Sequence, residues 1–245
     1  MKLNYEISGD GERAVVLAGS LGSTVEMWEP QLPSLNGQFK VLRYDNPGHG
    51  GSDLPDEPTI EAFARELAAS LDELGLDRVL FCGLSLGGAL GMRLALDRPE
   101  LVDRLVLCCT AARFGTAEFW DGRIAKTRAD GVAAVAEPVL ERWFTPGFPN
   151  LQRYREMLLA TPAEGYARCC EALRDWDVRG ALGAVRAPTL CIAGAGDPST
   201  PPEQLTAIAD EIPDARMAVI EDARHLVNVE QAAAFDDALL AHFTP

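Results

Sequence analysis

A serine with a glycine two residues to either side, lying between an apolar run and a helical stretch, constrains this chain more than any other feature. The run ending at Cys82 leads straight into Gly83-Leu84-Ser85-Leu86-Gly87-Gly88, and a helix-period segment follows. In that strand–turn–helix context the G-x-S-x-G order is a nucleophile elbow, a turn so sharp that the serine oxygen stands clear of the sheet. The chain folds back on itself there, so Gly83 and Gly87 must be small, and Gly88 and Gly91 let the helix approach the sheet. A bare G-x-S-x-G also arises as a glycine-rich turn with an incidental serine. Its position at the end of an apolar strand argues against that here.

The rest of the chain supplies the sheet such an elbow needs. Leu3, Tyr5 and Ile7 alternate with polar residues, as in a half-buried strand. Residues 14–18, 40–44, 78–82, 104–109, 187–193 and 215–220 read as further strands. Between two of them Ile60, Phe63, Ala64, Leu67, Leu71 and Leu74 recur at spacings of three and four, the apolar stripe of a helix. Alternation of this kind predicts an α/β fold, a mainly parallel central sheet with helices on both faces.

One stretch interrupts the alternation. From Arg113 to Gly183 there are only helical patterns. Val132, Ala136, Val139, Leu140 and Trp143 form one apolar face. Met157, Leu158 and Leu159 belong to a second helix, and Cys169, Cys170, Ala172 and Leu173 to a third. The expected division is a core of residues 1–112 and 184–245 and a helical cap of residues 113–183, inserted after the sixth strand. Such a cap lies over the C-terminal edge of the sheet, where open α/β sheets bind ligands.

A chain of 245 residues buries enough core to fold without disulfides or structural metal. Its net charge of −15 argues against nucleic-acid or anionic-membrane partners, which need a basic footprint. Cys82, Cys108, Cys109, Cys169, Cys170 and Cys191 form no C-x-x-C pair and mostly sit in apolar runs, as small hydrophobes do. Reduced thiols and the lack of an export signal point to the cytoplasm.

A serine nucleophile needs a base of near-neutral pKa, and the chain has three histidines. His225 follows the last strand and so reaches the edge that carries Ser85. His242 lies near the end of the final helix, where a histidine caps or faces solvent. His49 belongs to the turn Asn46-Pro47-Gly48-His49-Gly50-Gly51, which we read as structural, with Asp45 and His49 fixing its conformation. The orienting acid follows the serine and precedes the histidine in this fold. Asp197, just after the strand of residues 187–193, fits that order; Asp222 is the rival, close enough to His225 for a loop hydrogen bond instead. The oxyanion donors are assigned to the backbone N–H of Leu86 and, from the loop Gly19-Ser20-Leu21-Gly22, of Leu21. A plain strand-exit turn is the alternative for that loop.

With these residues in view, the chain resembles the α/β-hydrolases and, within them, the 3-oxoadipate enol-lactonases. The resemblance rests on Leu42–Asp53, the elbow, Asp197 and His225. It extends to Gly19–Gly22 with Met27-Trp28, to the cap run Glu141-Arg142-Trp143-Phe144-Thr145-Pro146, and to Gly165–Glu171. Leu86 stands where that family more often has methionine, and Asn46-Pro47 replaces a Thr-Arg-like pair. The resemblance implies a serine hydrolase that opens a small anionic enol-lactone through an acyl-enzyme, in aromatic-compound catabolism, without metal or organic cofactor. An anionic substrate in so acidic a protein calls for a local cation, and Arg142 beside Trp143 is the candidate. The alternative is an arginine on the solvated face of the cap, with Trp143 as core packing. Other capped hydrolases (carboxylesterase, C–C bond hydrolase, perhydrolase) share fold and triad, and a non-catalytic receptor on the same fold would bind without turnover.

Overall fold

Apolar runs of four to seven residues become the strands of one sheet in the computed structural model, which describes residues 1–244. In chain order the elements are β1 (Tyr5–Ser8), β2 (Ala14–Ala18), α1 (Leu32–Leu35), β3 (Lys40–Tyr44), α2 (Ile60–Glu73), β4 (Val79–Leu84), α3 (Leu86–Asp97) and β5 (Val102–Cys108). Four helices follow: α4 (Ala117–Asp130), α5 (Ala133–Trp143), α6 (Leu151–Leu159) and α7 (Ala163–Asp175). The chain then returns to the sheet with β6 (Thr189–Gly194), α8 (Pro202–Glu211), β7 (Ala215–Ile220), α9 (Val227–Glu230) and α10 (Ala232–Phe243).

The sheet has seven strands in the order β1-β3-β2-β4-β5-β6-β7. Only β1 is antiparallel, against β3; the other pairs are parallel. Parallel strands deliver all their C-terminal loops to one edge, and that edge carries Ser85, Asp197, His225 and the loop of Leu21. β2, β4 and β6 are wholly buried, as strands covered on both faces must be. Helix α2 begins at Thr59, whose hydroxyl accepts the Ala62 N–H at 3.2 Å, and it buries Ile60, Phe63, Ala64, Leu67 and Leu71 against the sheet.

Several expectations need correction. Residues 1–13 hold a single strand, so β5 is the fifth in chain order and the helical insertion follows it, not a sixth strand. Strand β1 is an uncovered edge rather than half-buried: Leu3 is buried just before it, but Tyr5 is 41% and Ile7 44% exposed. Leu159 lies in α6, as expected, at its exposed end. The insertion contains four helices, and α4 gave no clear pattern because only Trp120, Ile124 and Thr127 of its fourteen residues are buried.

The insertion is tied down at several points. A Cβ on Gly165 of α7 would lie 1.9 Å from the Gly48 carbonyl oxygen, so the two backbones touch and only glycine fits. The Glu230 carboxylate accepts both the N–H and the hydroxyl of Thr145 at 2.7 Å. Arg224 donates to the carbonyls of Glu141 and Phe144. The N–H groups of His225 and Leu226 donate to the carbonyls of Arg142 and Trp143 at 3.4 and 3.1 Å.

Candidate active site

Ser85 caps the N-terminus of α3 at φ 59° and ψ −111°, a left-handed strained conformation for a residue with a side chain. The turn is held through backbone bonds. Ser85 N–H donates to the Cys108 carbonyl at 2.9 Å, and the Thr110 hydroxyl donates to the Ser85 carbonyl at 2.7 Å. A Cβ on Gly83 would meet the Gly87 carbonyl oxygen at 2.1 Å, and one on Gly87 the Ala18 carbonyl oxygen at 2.1 Å. Both glycines of the elbow are therefore steric necessities.

His225 and Asp197 meet at the same edge, from the loops after β7 and β6. The His225 Nδ1–H donates to Asp197 Oδ2 at 2.7 Å, which leaves the Nε2 lone pair for the cavity that both His225 and Ser85 line. Asp197 also accepts the Thr200 hydroxyl at 2.7 Å on Oδ2 and the Ser199 N–H at 2.8 Å on Oδ1. Burial alone would raise the carboxyl's pKa, but the imidazole, the hydroxyl and the amide together hold it below the usual carboxylate range. Asp222 is exposed, with only its carbonyl engaged, by Gln231. His242 bonds the Pro188 carbonyl before β6, at the opposite end of the sheet, and neither caps its helix nor sits in solvent.

The glycine-rich loop after β2 is braced from the His49 turn. Asn46 Nδ2 donates to the carbonyls of Gly19 and Ser20 at 3.2 and 2.9 Å, so this residue of the unusual Asn-Pro pair does work on the loop. The Gly22 N–H donates to His49 Nε2 at 3.0 Å, while His49 Nδ1 faces the Pro47 carbonyl at 3.0 Å. Asp45 accepts the N–H groups of Val25 and Gly51 at 2.9 and 3.0 Å. Turned in this way, the loop brings Leu21 to the cavity beside Ser85. Among the described residues, neither the Leu21 nor the Leu86 N–H is paired with a protein acceptor. Two free donors beside a strained serine can stabilise an oxyanion.

His49 is wholly buried, and desolvation pushes its pKa down to about 4, against the opposing pull of the Pro47 carbonyl and Asp45. The imidazole must stay neutral to accept from Gly22. Below pH 6.5 the unfolded chain binds a proton that the folded one refuses until about pH 4. Stability therefore rises with pH across that window, and acidification through it should cost up to about 3 kcal/mol. Urea unfolding at pH 7.5 and pH 4.5 should show this loss in the wild type and a smaller one in His49→Gln. Equal losses in both proteins would rule His49 out as the cause.

The cavity holds about 240 Å³, and its roof is the cap. Trp143 is buried and Arg142 half-buried, and both line it; Asp197 and Leu86 are buried and do not. Three lining residues of α4 escaped the sequence reading: Phe119, Trp120 and Arg123. The Arg123 guanidinium sits over the Trp120 ring at 5.6 Å and the Tyr166 ring at 5.4 Å, and Arg142 lies over Phe119 at 5.5 Å. Desolvation, then the neighbouring charge of Arg123, holds the Arg142 pKa below its ordinary value. Spacings of three and four put Trp120 and Phe119 on one face of α4 with Arg123, a signal visible in the sequence. Which helix that face would meet was not.

Cys109, Asp197 and His225 offer metal-type donor atoms within 4.8 Å of one another, the one such grouping among the described residues. Burial raises the Cys109 pKa and keeps it a thiol, and the carboxylate and imidazole are engaged with each other. The donor set fits a hydrogen-bonded pair better than a metal.

Comparison with known proteins places these features in context. A family model described as alpha/beta hydrolase fold matches residues 13–232. The 3-oxoadipate enol-lactonase 2 of Acinetobacter baylyi is 37% identical over 246 residues, covering 98% of this chain and 92% of that protein. The crystal structure of the enol-lactonase from Burkholderia xenovorans LB400 aligns with a TM-score of 0.96 at 38% identity, over 99% of this chain and 96% of the other. A putative carbamate hydrolase, RutD of Stutzerimonas stutzeri, is 32% identical over 98% of this chain and 96% of its own length.

Proposed function

The chain belongs to the α/β-hydrolase family and is a hydrolase of carboxylic esters or lactones, and from that premise we propose that it opens 3-oxoadipate enol-lactone to 3-oxoadipate. The observation that carries the proposal is the roof of the cavity, where Arg142 faces the Ser85 side without a carboxylate partner in a protein of net charge −15. An anionic lactone has a use for that cation; a neutral ester does not.

In this mechanism His225 Nε2 takes the Ser85 proton as Oγ attacks the lactone carbonyl. The oxyanion rests on the N–H groups of Leu21 and Leu86, at the positive end of α3. Asp197 holds the imidazole tautomer and stabilises the imidazolium without accepting its proton. Collapse expels an enolate, a weak base that needs little acid help. Protonation and tautomerisation turn it into the ketone, still attached through the acyl group. Water activated by His225 then releases the linear diacid from Ser85. Trp143 forms an apolar wall, and Arg142 pairs with the substrate carboxylate.

The test is direct: supply freshly generated 3-oxoadipate enol-lactone and follow loss of its ultraviolet absorbance. Turnover that exceeds that of simple aryl esters supports the assignment, and ester cleavage without lactone opening overturns it. Arg142→Ala should raise KM for the lactone by roughly 10- to 150-fold, the equivalent of a charge-assisted contact of about 1.5–3 kcal/mol. An unchanged KM would remove Arg142 from the site. The likeness to a putative carbamate hydrolase favours a second reading, cleavage of a small carbamate by the same serine. Carbamate turnover that is insensitive to Arg142→Ala would favour it.

A further inference from the structure

The roof that holds Arg142 is thin. Phe119, Arg123 and Arg142 line the catalytic cavity and also a depression of about 200 Å³ on the outside of the cap, between α4 and α5. The outer depression adds Lys126, and no acidic residue lines it. In a chain with 37 acidic and 22 basic residues, that is a local inversion of charge.

Several nearby carboxylates are paired elsewhere, while Glu118 and Asp130, at the two ends of α4, carry no ion pair among the described residues and do not line the depression. Asp121 binds Arg174, Glu137 binds Arg155, and Glu164 and Glu171 both bind Arg128. Among the described residues Arg123, Lys126 and Arg142 have no ion-pair partner; Glu141, which Arg142 feels through space, is exposed. Aromatic faces, not carboxylates, hold the Arg123 and Arg142 guanidinium groups.

The cap's attachment makes a side passage more economical than a lifting lid. The C-terminal end of α5 is bonded to the His225 loop through the Arg142 and Trp143 carbonyls, and Thr145 just beyond it is bonded to Glu230. Raising that end would pull on His225. A substrate crossing between α4 and α5 need only displace the Arg123 and Phe119 side chains.

We propose that the α4–α5 cleft is a cationic portal for small carboxylate-bearing substrates, with Lys126 at its rim and Arg123 between the rim and Arg142. The proposal rests on the anionic-substrate reading, but its test does not need the enol-lactone. Two aryl esters serve as probes, the anionic 4-nitrophenyl hemisuccinate and the neutral 4-nitrophenyl butyrate. Lys126→Glu should lower kcat/KM for the anionic ester roughly threefold to tenfold at 10 mM salt, and the difference should vanish near 1 M salt. The neutral ester should be unaffected.

A second variant separates passage from mere charge. Gly122 lines the depression, and a Cβ there meets nothing within 4 Å, so Gly122→Phe starts from open space, adds bulk at the cleft and replaces a helical glycine. It should lower kcat/KM for the anionic ester severalfold at both salt concentrations while leaving kcat intact. Anionic-ester kinetics unchanged in Gly122→Phe, or equal losses for both esters in Lys126→Glu, would overturn the portal. Failure of lactone turnover with these ester results intact would overturn only the enol-lactone assignment.

Discussion

Ser85→Ala should fold as well as the wild type and lose on the order of a million-fold in kcat. The two halves of that expectation come from different atoms. What holds the elbow is backbone: the Ser85 N–H on Cys108, the Thr110 hydroxyl on the Ser85 carbonyl, and the contacts of Gly83 and Gly87. Alanine keeps all of these and has the same φ cost as serine, so the melting temperature should move little. What the change removes is Oγ, the hydroxyl the elbow presents to the cavity that His225 also lines. Single-turnover measurement on an aryl ester, with thermal unfolding run in parallel, reads both halves. A stable variant retaining a thousandth or more of wild-type activity would mean that another group attacks the substrate.

Asp197→Asn should cost about ten-thousandfold in kcat with little change in KM. The carboxylate now accepts from His225 Nδ1, from Thr200 and from Ser199. An amide turned to keep the backbone bond presents its N–H₂ to the imidazole. The ring must then accept at Nδ1 and carry its proton on Nε2, where the lone pair for Ser85 is needed. A separate signature lies in stability against pH. Because the folded pKa of Asp197 is depressed, its contribution is present above the unfolded value near 3.9 and lost as pH falls through the folded value. The asparagine variant should lack that acid loss. Asp222→Asn is the control, since that side chain is exposed, and it should behave as wild type in both measurements. Comparable losses in the two variants would reverse the assignment of the acid.

The parts legible from the chain alone were those whose cause is local. A strand buried on both faces must be an apolar run, so β2, β4 and β6 lie where the runs are. The elbow was legible because the sharp turn makes Gly83 answer to Gly87 within the same turn, although Gly87 itself answers to the distant Ala18 carbonyl. Asp197 and His225 could be read because parallel strands deliver their loops to one edge, whatever their separation in sequence. Strand β1 misled, since alternation of Leu3, Tyr5 and Ile7 signals burial only where something covers the strand, and an edge need not be covered. Helix α4 was unreadable for a related reason. Its outward face is polar, and its inward face meets the cavity in place of a core, so Arg123 stands where an apolar residue would have completed a stripe. Thr200 was missed because nothing in Asp197-Pro198-Ser199-Thr200 tells a loop-closing hydroxyl from one that shares the carboxylate with His225.

The bonds from the His225 loop to the last carbonyls of α5 bear on how such enzymes change what they act on. A cap that merely rested on the sheet could be exchanged like a cassette, each replacement bringing a new preference to an unchanged catalytic base. Here the backbone that presents Arg142 and Trp143 also anchors the N–H groups of His225 and Leu226. A transplanted cap would inherit the chemistry below only if its chain left the cavity in the same register. Divergence within this architecture should therefore proceed by side-chain replacement along α4 and α5, with the end of α5 as the inherited joint.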